Sequence, residues 1–564
     1  MQVDSGRRGV ACRRRRVADR EGLSQLALRF QRDEQGAVAV VLGVMFTVIL
    51  FMAAIAIDGS RFTSEWMRDR QALDAAVLAA SDAIGMPDQD AEARARGEAF
   101  YLANRPAGKS EDLVTIEIRP EAGEVFGRTR FDMLATLLRP FGYEQVRLGG
   151  TATAVRGGTA EVALVLDNSG SMAGTYIADL KTAAENLVEV VFAGTEQGDS
   201  NMSVAVVPFA GSVNVGSGNA NAEWMDRDGI SPLDKENTKE ERSRFELFSD
   251  LNESWSGCVE VRKPPYDTTD GVADASVPAS LFTPQFAPDE PDTVNAEGKS
   301  YENNYLVDDG GNCPRQECKC TDFNSSGKCK TNGWKLTAIA ASEAQARSCK
   351  YTGAQAGYPA PRPDKCSTPA LSGGPNRYCT TAPLLPLSTS RGEIVNAIRA
   401  MGANGMTNIA EGIAWGWRAL SPAQPFAEGR SYNDRDNKKI LIVMTDGENT
   451  YTSVNNHNAS RYNALGFAKP YRTPTAGRLG KTYTSSAYTT TMNARTRTVC
   501  ANAKAEGLKI YTIAFRLEND ATTRNLLREC ASDAASAYVA SNGAALIDVF
   551  QNIGREISKL RISS

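Results

Sequence analysis

The stretch EVALVLDNSGSM (residues 161–172) carries the strongest structural signal in the chain. It opens with a near-continuous apolar run, which is typical of a strand buried on both faces of a parallel sheet. The segment YIADLKTAAENLVEVVF that follows (residues 176–192) has the apolar spacing of an amphipathic helix. A buried strand followed directly by such a helix predicts a doubly wound α/β domain.

The alternation of strand and helix continues towards the C-terminus. Further strands are predicted at MSVAVVPFA, KKILIVMTD, KIYTIAF and SAYVAS, with helices between them and LIDVFQNIGREISKL closing the domain. We assign this Rossmann-like domain to residues 158–564. Two polar stretches interrupt it as insertions, at about 212–381 and 449–488.

Three separated pieces of this domain supply oxygen-bearing side chains. DNSGS places Asp167, Ser169 and Ser171 after the first strand, GANGMTNIAEGI places Thr407 before a helix, and LIVMTDGEN ends a strand at Asp446. Ligand sites in open α/β sheets lie outside the carboxyl ends of the strands. We therefore expect these five residues to form one site.

The chemistry of this set predicts a divalent metal. Carboxylates and hydroxyls are hard donors, which select Mg²⁺, Mn²⁺ or Ca²⁺ over zinc or copper. Two carboxylates leave the ion electrophilic and partly hydrated, so that an acidic residue of a protein partner can replace a water. DNSGS alone could be a helix N-cap. Its agreement with the other two pieces favours a metal site for adhesion.

An uncharged stretch near the N-terminus predicts one transmembrane helix. Residues 36–57 contain no charge, and twenty-two helical residues span a bilayer core of about 30 Å. Residues 1–35 carry nine Arg against five acidic residues, which should hold this tail in the cytoplasm. The rest of the chain is then periplasmic or extracellular. A cleaved signal peptide is the alternative, because residues 54–56 (AIA) have the form of a cleavage site.

Residues 58–157 follow this stretch with a helical pattern and three strand-like runs, LVTIEI, VFGRTRFDML and VRLGGTATAV. A long helix followed by a few strands is a pilin-like plan. A simple stalk between membrane and α/β domain explains the pattern equally well.

Cysteine usage agrees with an extracytoplasmic location. Ten of the eleven cysteines follow the apolar stretch, and eight of them fall in the first insertion: Cys258, Cys313, Cys318, Cys320, Cys329, Cys349, Cys366 and Cys379. This density predicts a disulfide framework of open connectivity. A zinc site is the alternative, but there is no CxxC pair and the single His457 lies far away. Cys500 and Cys530 flank a strand and are expected to pair.

Enzymatic function is not favoured. The presence of a single histidine argues against a Ser-His-Asp arrangement, and no GxxxxGK[ST] phosphate loop occurs. The net charge of -4 indicates no nucleic-acid partner. We expect Trp415 and Trp417 to lie in the core.

DNSGS together with Thr407 and TDG resembles the metal ion-dependent adhesion site (MIDAS) of von Willebrand factor A (vWA) domains. The resemblance implies that Ser169 and Ser171 bind the metal directly. It makes Thr407 a ligand that switches between direct and water-mediated contact, with Asp167 and Asp446 as anchoring carboxylates.

A second resemblance covers most of residues 30–564. RDEQGAVAVV, IDGSRF, QALDAAVLAASDA, YENNYL, GPNRYC, TNIAEGIAWGWRALSPAQPF and MTDGENT are similar to TadG-like proteins of the Tad (Flp) pilus system. This implies an inner-membrane component of pilus assembly or adhesion, with the Tad machinery as partner. Prepilins of that system carry Glu at the fifth position after the cleavage-site Gly, whereas Val41 is the fifth residue after Gly36. An anchored component is therefore favoured over a pilus subunit.

Two alternative functions remain. One is a sensor or scaffold unrelated to pili. The other is a hydrolase, which would need a nucleophile and base that the sequence does not offer.

Overall fold

A computed structural model describes residues 34–81, 83, 89–105, 113–119, 124–155, 159–192 and 201–562, except positions 338, 354–365, 367, 368, 435 and 476. Residues 1–33 of the Arg-rich tail, which is expected in the cytoplasm, lie outside the described residues. The chain divides into two compact units, residues 1–156 and 157–564.

The described residues of the first unit form two helices and one antiparallel sheet of order β1-β2-β3. Its elements are α1 (Glu34–Ser81), α2 (Gln89–Asn104), β1 (Leu113–Arg119), β2 (Glu124–Leu134) and β3 (Gln145–Val155). The strands coincide with the three runs predicted from alternating apolar residues.

Helix α1 is continuous from the uncharged stretch into the folded part of the first unit. It has 48 residues, and Val38–Ser81 is long and apolar enough to cross a membrane. The most apolar window of this segment has a mean hydropathy of 2.9, and 6% of it is buried. A membrane anchor and a signal sequence both have this character.

The C-terminal half of α1 packs on the sheet of its own unit. Leu73 and Val77 are buried together with Ile116 of β1. Gly127 of β2 lies so close to the helix that a Cβ there would be 2.3 Å from Val77. Burial of these side chains fixes the sheet against this half of the helix, whereas most side chains of the N-terminal half are exposed.

The second unit is a six-stranded α/β domain with two insertions. Its helices are α3 (Thr175–Val191), α4 (Arg244–Asp250), α5 (Ala341–Ala346), α6 (Arg391–Ala400), α7 (Ile409–Leu420), α8 (Ser485–Ala505), α9 (Ala521–Cys530) and α10 (Gly543–Ile562). Its strands are β4 (Thr159–Asp167), β5 (Met202–Phe209), β6 (Cys318–Cys320), β7 (Trp334–Leu336), β8 (Leu385–Ser388), β9 (Asn437–Thr445), β10 (Lys509–Phe515) and β11 (Ala537–Ala540).

The main sheet has the order β11-β10-β9-β4-β5-β8. All neighbours are parallel except β8, which runs antiparallel to β5 at the edge. The chain proceeds from β4 to β5 on one side and later adds β9 on the other side of β4. This reversal confirms the doubly wound fold and places its switch point between β4 and β9.

Helices cover both faces of the sheet, because alternate residues of each strand point to opposite sides. Leu164 of β4 belongs to the core under α3, α6 and α10, whereas Val165 belongs to the core under α7, α8 and α9. Trp415 and Trp417 lie in the core under α7, α8 and α9 and are 0% and 2% exposed, as predicted.

The first insertion lies between β5 and β8 and carries four disulfides. The pairs are Cys258–Cys379, Cys313–Cys349, Cys318–Cys366 and Cys320–Cys329, and Cys500–Cys530 joins α8 to α9. These bonds confirm the disulfide framework and supply the connectivity that the sequence left open. They also use every cysteine considered for a zinc site.

A buried ion-pair network joins the two insertions. Glu260 of the first insertion pairs with Arg244 at 2.5 Å and with Arg478 of the second insertion. Arg478 also contacts Glu236 at 3.2 Å. All four side chains are less than 5% exposed. Removing one member of a buried ion-pair network costs about 3–5 kcal/mol, because it leaves an uncompensated buried charge. The network therefore holds the two insertions together.

Replacement of both Cys500 and Cys530 by Ala should destabilise the domain. The bond closes a loop with a sequence separation of 30, and both cysteines lie in the core, each 1% exposed. Loop entropy predicts a loss of about 3–4 kcal/mol, measured by urea unfolding of the purified full chain. The matched control replaces Cys320 and Cys329, which close an exposed loop with a separation of 9. A larger loss in the control would contradict this prediction.

Candidate metal centre

The predicted site residues follow two adjacent strands at the switch point of the sheet. Asp167 is the last residue of β4, and Asp446 directly follows β9. The parallel register pairs Leu166 with Met444, so both carboxylates leave the sheet at the same edge. The geometry expected from the sequence is therefore present for these two residues.

Hydrogen bonds connect four of the five predicted ligands in one series. Ser171 Oγ donates to Asp446 Oδ1 at 2.6 Å and lies 3.0 Å from Ser169 Oγ. The Ser169 backbone N–H donates to Asp167 Oδ1 at 2.7 Å. Thr445 Oγ1 donates to the other carboxylate oxygen of Asp167 at 2.5 Å. The side chains thus form one continuous polar cluster across the two strand ends.

The loop before Thr407 is pinned beside the DNSGS turn. Gly170 N–H donates to Gly405 O at 2.9 Å, and Asn404 N–H donates to Asn168 O at 2.8 Å. Thr407 is 3% exposed. Within the described part of the chain, its hydroxyl bonds to none of the other four predicted ligands. The backbone therefore brings Thr407 to the cluster without a direct side-chain contact.

Close packing of α7 on the sheet positions this loop. A Cβ at Gly412 would be 2.6 Å from the ring of Phe209, and one at Gly416 would be 2.4 Å from Val165. Glycine at both positions lets the helix backbone approach β4 and β5. Asn449 Oδ1 accepts from the Ile409 N–H at 2.9 Å and ties the first turn of α7 to the segment after Asp446.

The electrostatics of the cluster favour a bound cation. Burial, and then the neighbouring charge of Asp446, raise the pKa of Asp167 to about 6. Burial also raises the pKa of Asp446, against the hydrogen bond from Ser171. Two carboxylates that disfavour each other's ionisation are stabilised when a cation lies between them.

The cluster reaches the surface on one side only. Asp167 and Ser169 are buried, whereas Ser171 is exposed and Asp446 is half-buried. Among the described residues, no three His, Cys, Asp or Glu side chains form a metal-binding group. A metal here would therefore rely on hydroxyls. Two carboxylates with serine hydroxyls are a hard-oxygen set that fits Mg²⁺, Mn²⁺ or Ca²⁺.

Three residues of this site were not singled out from the sequence. Thr445 bonds to Asp167, Asn449 orients α7, and Gly405 supplies the carbonyl that holds the DNSGS turn. The signal for the first two was their place in MTDGEN, which brackets Asp446. Gly405 has a φ of 99°, a value that L side chains rarely adopt.

Comparisons with known proteins give weak matches only. No family model matches the chain, and no curated protein matches it. The solved structures similar to it include the von Willebrand factor domain of the type V pili tip protein Mfa5 from Porphyromonas gingivalis. That comparison has 11% identity and a TM-score of 0.30, and covers 72% of this chain and 96% of the Mfa5 domain.

Two longer proteins match at the same level. The pilus adhesin SpaC from Lactobacillus rhamnosus GG has 10% identity and a TM-score of 0.30, with 79% of this chain and 34% of SpaC covered. Proximal thread matrix protein 1 from the mussel byssus, with zinc in its MIDAS motif, has 12% identity and a TM-score of 0.25, with 72% and 46% covered. This chain thus spans about a third of SpaC and about half of the mussel protein. At these scores the similarities carry no argument about function.

Gly405→Ala should loosen the DNSGS turn. A Cβ at the positive φ of Gly405 is strained and would lie 2.9 Å from Thr380 Oγ1, at a cost of about 1–3 kcal/mol. We expect roughly tenfold or faster hydrogen exchange at Gly170, whose N–H donates to Gly405 O. Gly402→Ala is the control, because nothing lies within 4 Å of its Cβ position. Equal exchange at Gly170 in both variants would refute the role of Gly405.

Proposed function

We propose that this chain is a membrane-anchored vWA protein that binds a protein partner through a divalent metal held by Asp167, Ser169, Ser171, Thr407 and Asp446. The observation that carries the proposal is the convergence of DNSGS and Asp446 at the switch point of the sheet, with the Thr407 loop pinned beside them. Mg²⁺ is the favoured ion, with Mn²⁺ or Ca²⁺ as alternatives.

The division of roles follows from burial and hydrogen bonding. Hydrogen bonds from Thr445 and from a backbone N–H fix the Asp167 carboxylate, so it serves as an anchoring carboxylate of the site. Ser171 and Asp446 lie at the open side, where a partner can approach. When bound, the metal supplies an electrophilic centre that an acidic side chain of the partner can ligate. This is binding chemistry, and we propose no catalytic activity.

The biological setting that we propose is assembly of a Tad-type pilus or surface adhesion. The sequence similarity to TadG-like proteins supports it. The apolar half of α1 supports a single-pass anchor in the inner membrane with a cytoplasmic N-terminus, and five disulfides support an extracytoplasmic second unit.

Asp446→Asn should weaken metal binding without destabilising the metal-free protein. The amide oxygen can still accept from Ser171, and the charge that acts on Asp167 is removed. We expect at least about tenfold weaker Mg²⁺ and Mn²⁺ binding by calorimetry, equal to about 1.4 kcal/mol. Exposed Glu448→Gln removes the same charge two residues away and should bind normally. Failure of the unmutated protein to bind either ion would refute the site.

A pull-down from solubilised membranes tests the partner. In Mg²⁺ the unmutated chain should capture a protein that chelator releases, and Ser169→Ala should capture none. Recovery of Tad machinery components supports the pilus setting, whereas a chelator-sensitive partner unrelated to pili supports a sensor or scaffold. Normal piliation and attachment in a deletion strain would remove the pilus assignment. If chelator does not affect capture of the partner, the metal has no part in partner binding.

A further inference from the structure

The end of β2 and the loop from β2 to β3 of the first unit carry exposed apolar side chains. Leu134, Leu137, Phe141 and Tyr143 are 69%, 41%, 38% and 57% exposed. They surround one short 3₁₀ turn that begins at Arg139. Large apolar and aromatic side chains grouped on a loop tip are costly in water and mark a surface that is covered.

Asp58 fixes the position of this loop along α1. It is the first charged residue after the uncharged stretch, and its Oδ2 accepts from the backbone N–H groups of Thr136, Leu137 and Leu138 at 3.1, 2.8 and 2.9 Å. Arg61 adds a bond to Thr136 Oγ1. Three N–H groups on one buried carboxylate oxygen hold the loop rigidly at the end of the uncharged stretch.

From that point the loop extends back along the uncharged part of the helix. The ring of Phe141 lies 4.8 Å from the ring of Phe51, centroid to centroid. Phe51 is seven residues before Asp58, which places it about 10 Å further along the helix axis towards the N-terminus. If residues 36–57 span the bilayer, Phe141 lies at the depth of Phe51, below the level of the first charge.

We propose that residues 134–143 form a membrane wedge that inserts into the outer leaflet beside α1, with the lipid bilayer as its occupant. The inference rests on the proposed membrane anchor. Leu137 and Phe141 enter the acyl region, and Tyr143 lies at the interface, where aromatic side chains are enriched. Exposed Arg139 and Arg61 face the lipid phosphates. The wedge gives the first unit a second hold on the membrane and fixes it against the bilayer surface.

The occupant follows from continuity with the lipid-facing surface of α1. Val48 and Ile55 of the uncharged stretch are 55% and 44% exposed, so the apolar surface of the helix continues directly into that of the loop. A bilayer that covers the helix at the depth of Phe51 must also contact Phe141, because the two rings touch.

The test uses the full chain in phosphatidylethanolamine–phosphatidylglycerol nanodiscs, with an NBD fluorophore on a single introduced cysteine. In a Cys12→Ser background, Leu137→Cys reports the loop and Val48→Cys reports the anchor. Leu78→Cys is the control, since this side chain is 67% exposed on the same helix but twenty residues beyond Asp58, about 30 Å away. We expect lipids spin-labelled on the acyl chain to quench the probes at 48 and 137 at least about threefold more than the probe at 78.

Each outcome separates the wedge from the anchor. If aqueous iodide quenches the probe at 137 as strongly as the probe at 78, while lipid quenches the probe at 48, the wedge is overturned and the anchor stands. A probe at 48 that lipid does not quench overturns both. The probe at 137 could instead be protected from iodide in detergent, with protection that rises with protein concentration. That result would show a second copy of the chain on the loop and would also overturn the wedge.

Discussion

Parallel pairing of β4 with β9 holds the carboxyl ends of two central strands side by side. The pairing runs over eight residues from Thr159 opposite Asn437 to Leu166 opposite Met444. A shift by one residue would turn every side chain to the other face of the sheet. The bond from Thr445 to Asp167 closes this register at its end. The core determines the geometry of the site, because the strands that carry the buried apolar residues also position the two carboxylates.

The insertions add a second layer around this sheet without displacing the site. Thr450, at the start of the second insertion, bonds to both the N–H and the carbonyl of Thr407, and Thr380 at the end of the first insertion bonds to Asn404 O. The buried pairing of Glu260 with Arg478 joins the two insertions elsewhere. The loops at the candidate metal site are thus supported from both sides, by the disulfide-linked first insertion and by the second insertion, which contains no cysteine.

The sheet and the clustering of DNSGS with Asp446 could be predicted because each rests on a local pattern. β4 and β9 are apolar runs that end in acidic residues. β8 was missed, because its four residues are half-buried and include Pro386, which is unusual within a sheet. The disulfide connectivity and the roles of Asn449 and Gly405 depend on contacts between distant segments. No periodicity in the chain encodes such contacts, so they become visible only in three dimensions.

Two buried carboxylates of the second unit, Glu260 and Asp167, differ in the charges that surround them. Burial raises the pKa of Glu260, but the charges of Arg244 and Arg478 outweigh it, and the carboxylate is stabilised in its ionised form. At Asp167 burial acts in the same direction, yet the neighbouring charge is that of Asp446, and the pKa rises. Hydrogen bonds from Thr445 and Ser169 offset only part of this cost. The fold supplies its own cations to Glu260, whereas the raised pKa of Asp167 beside Asp446 would be lowered by a cation bound from outside the chain.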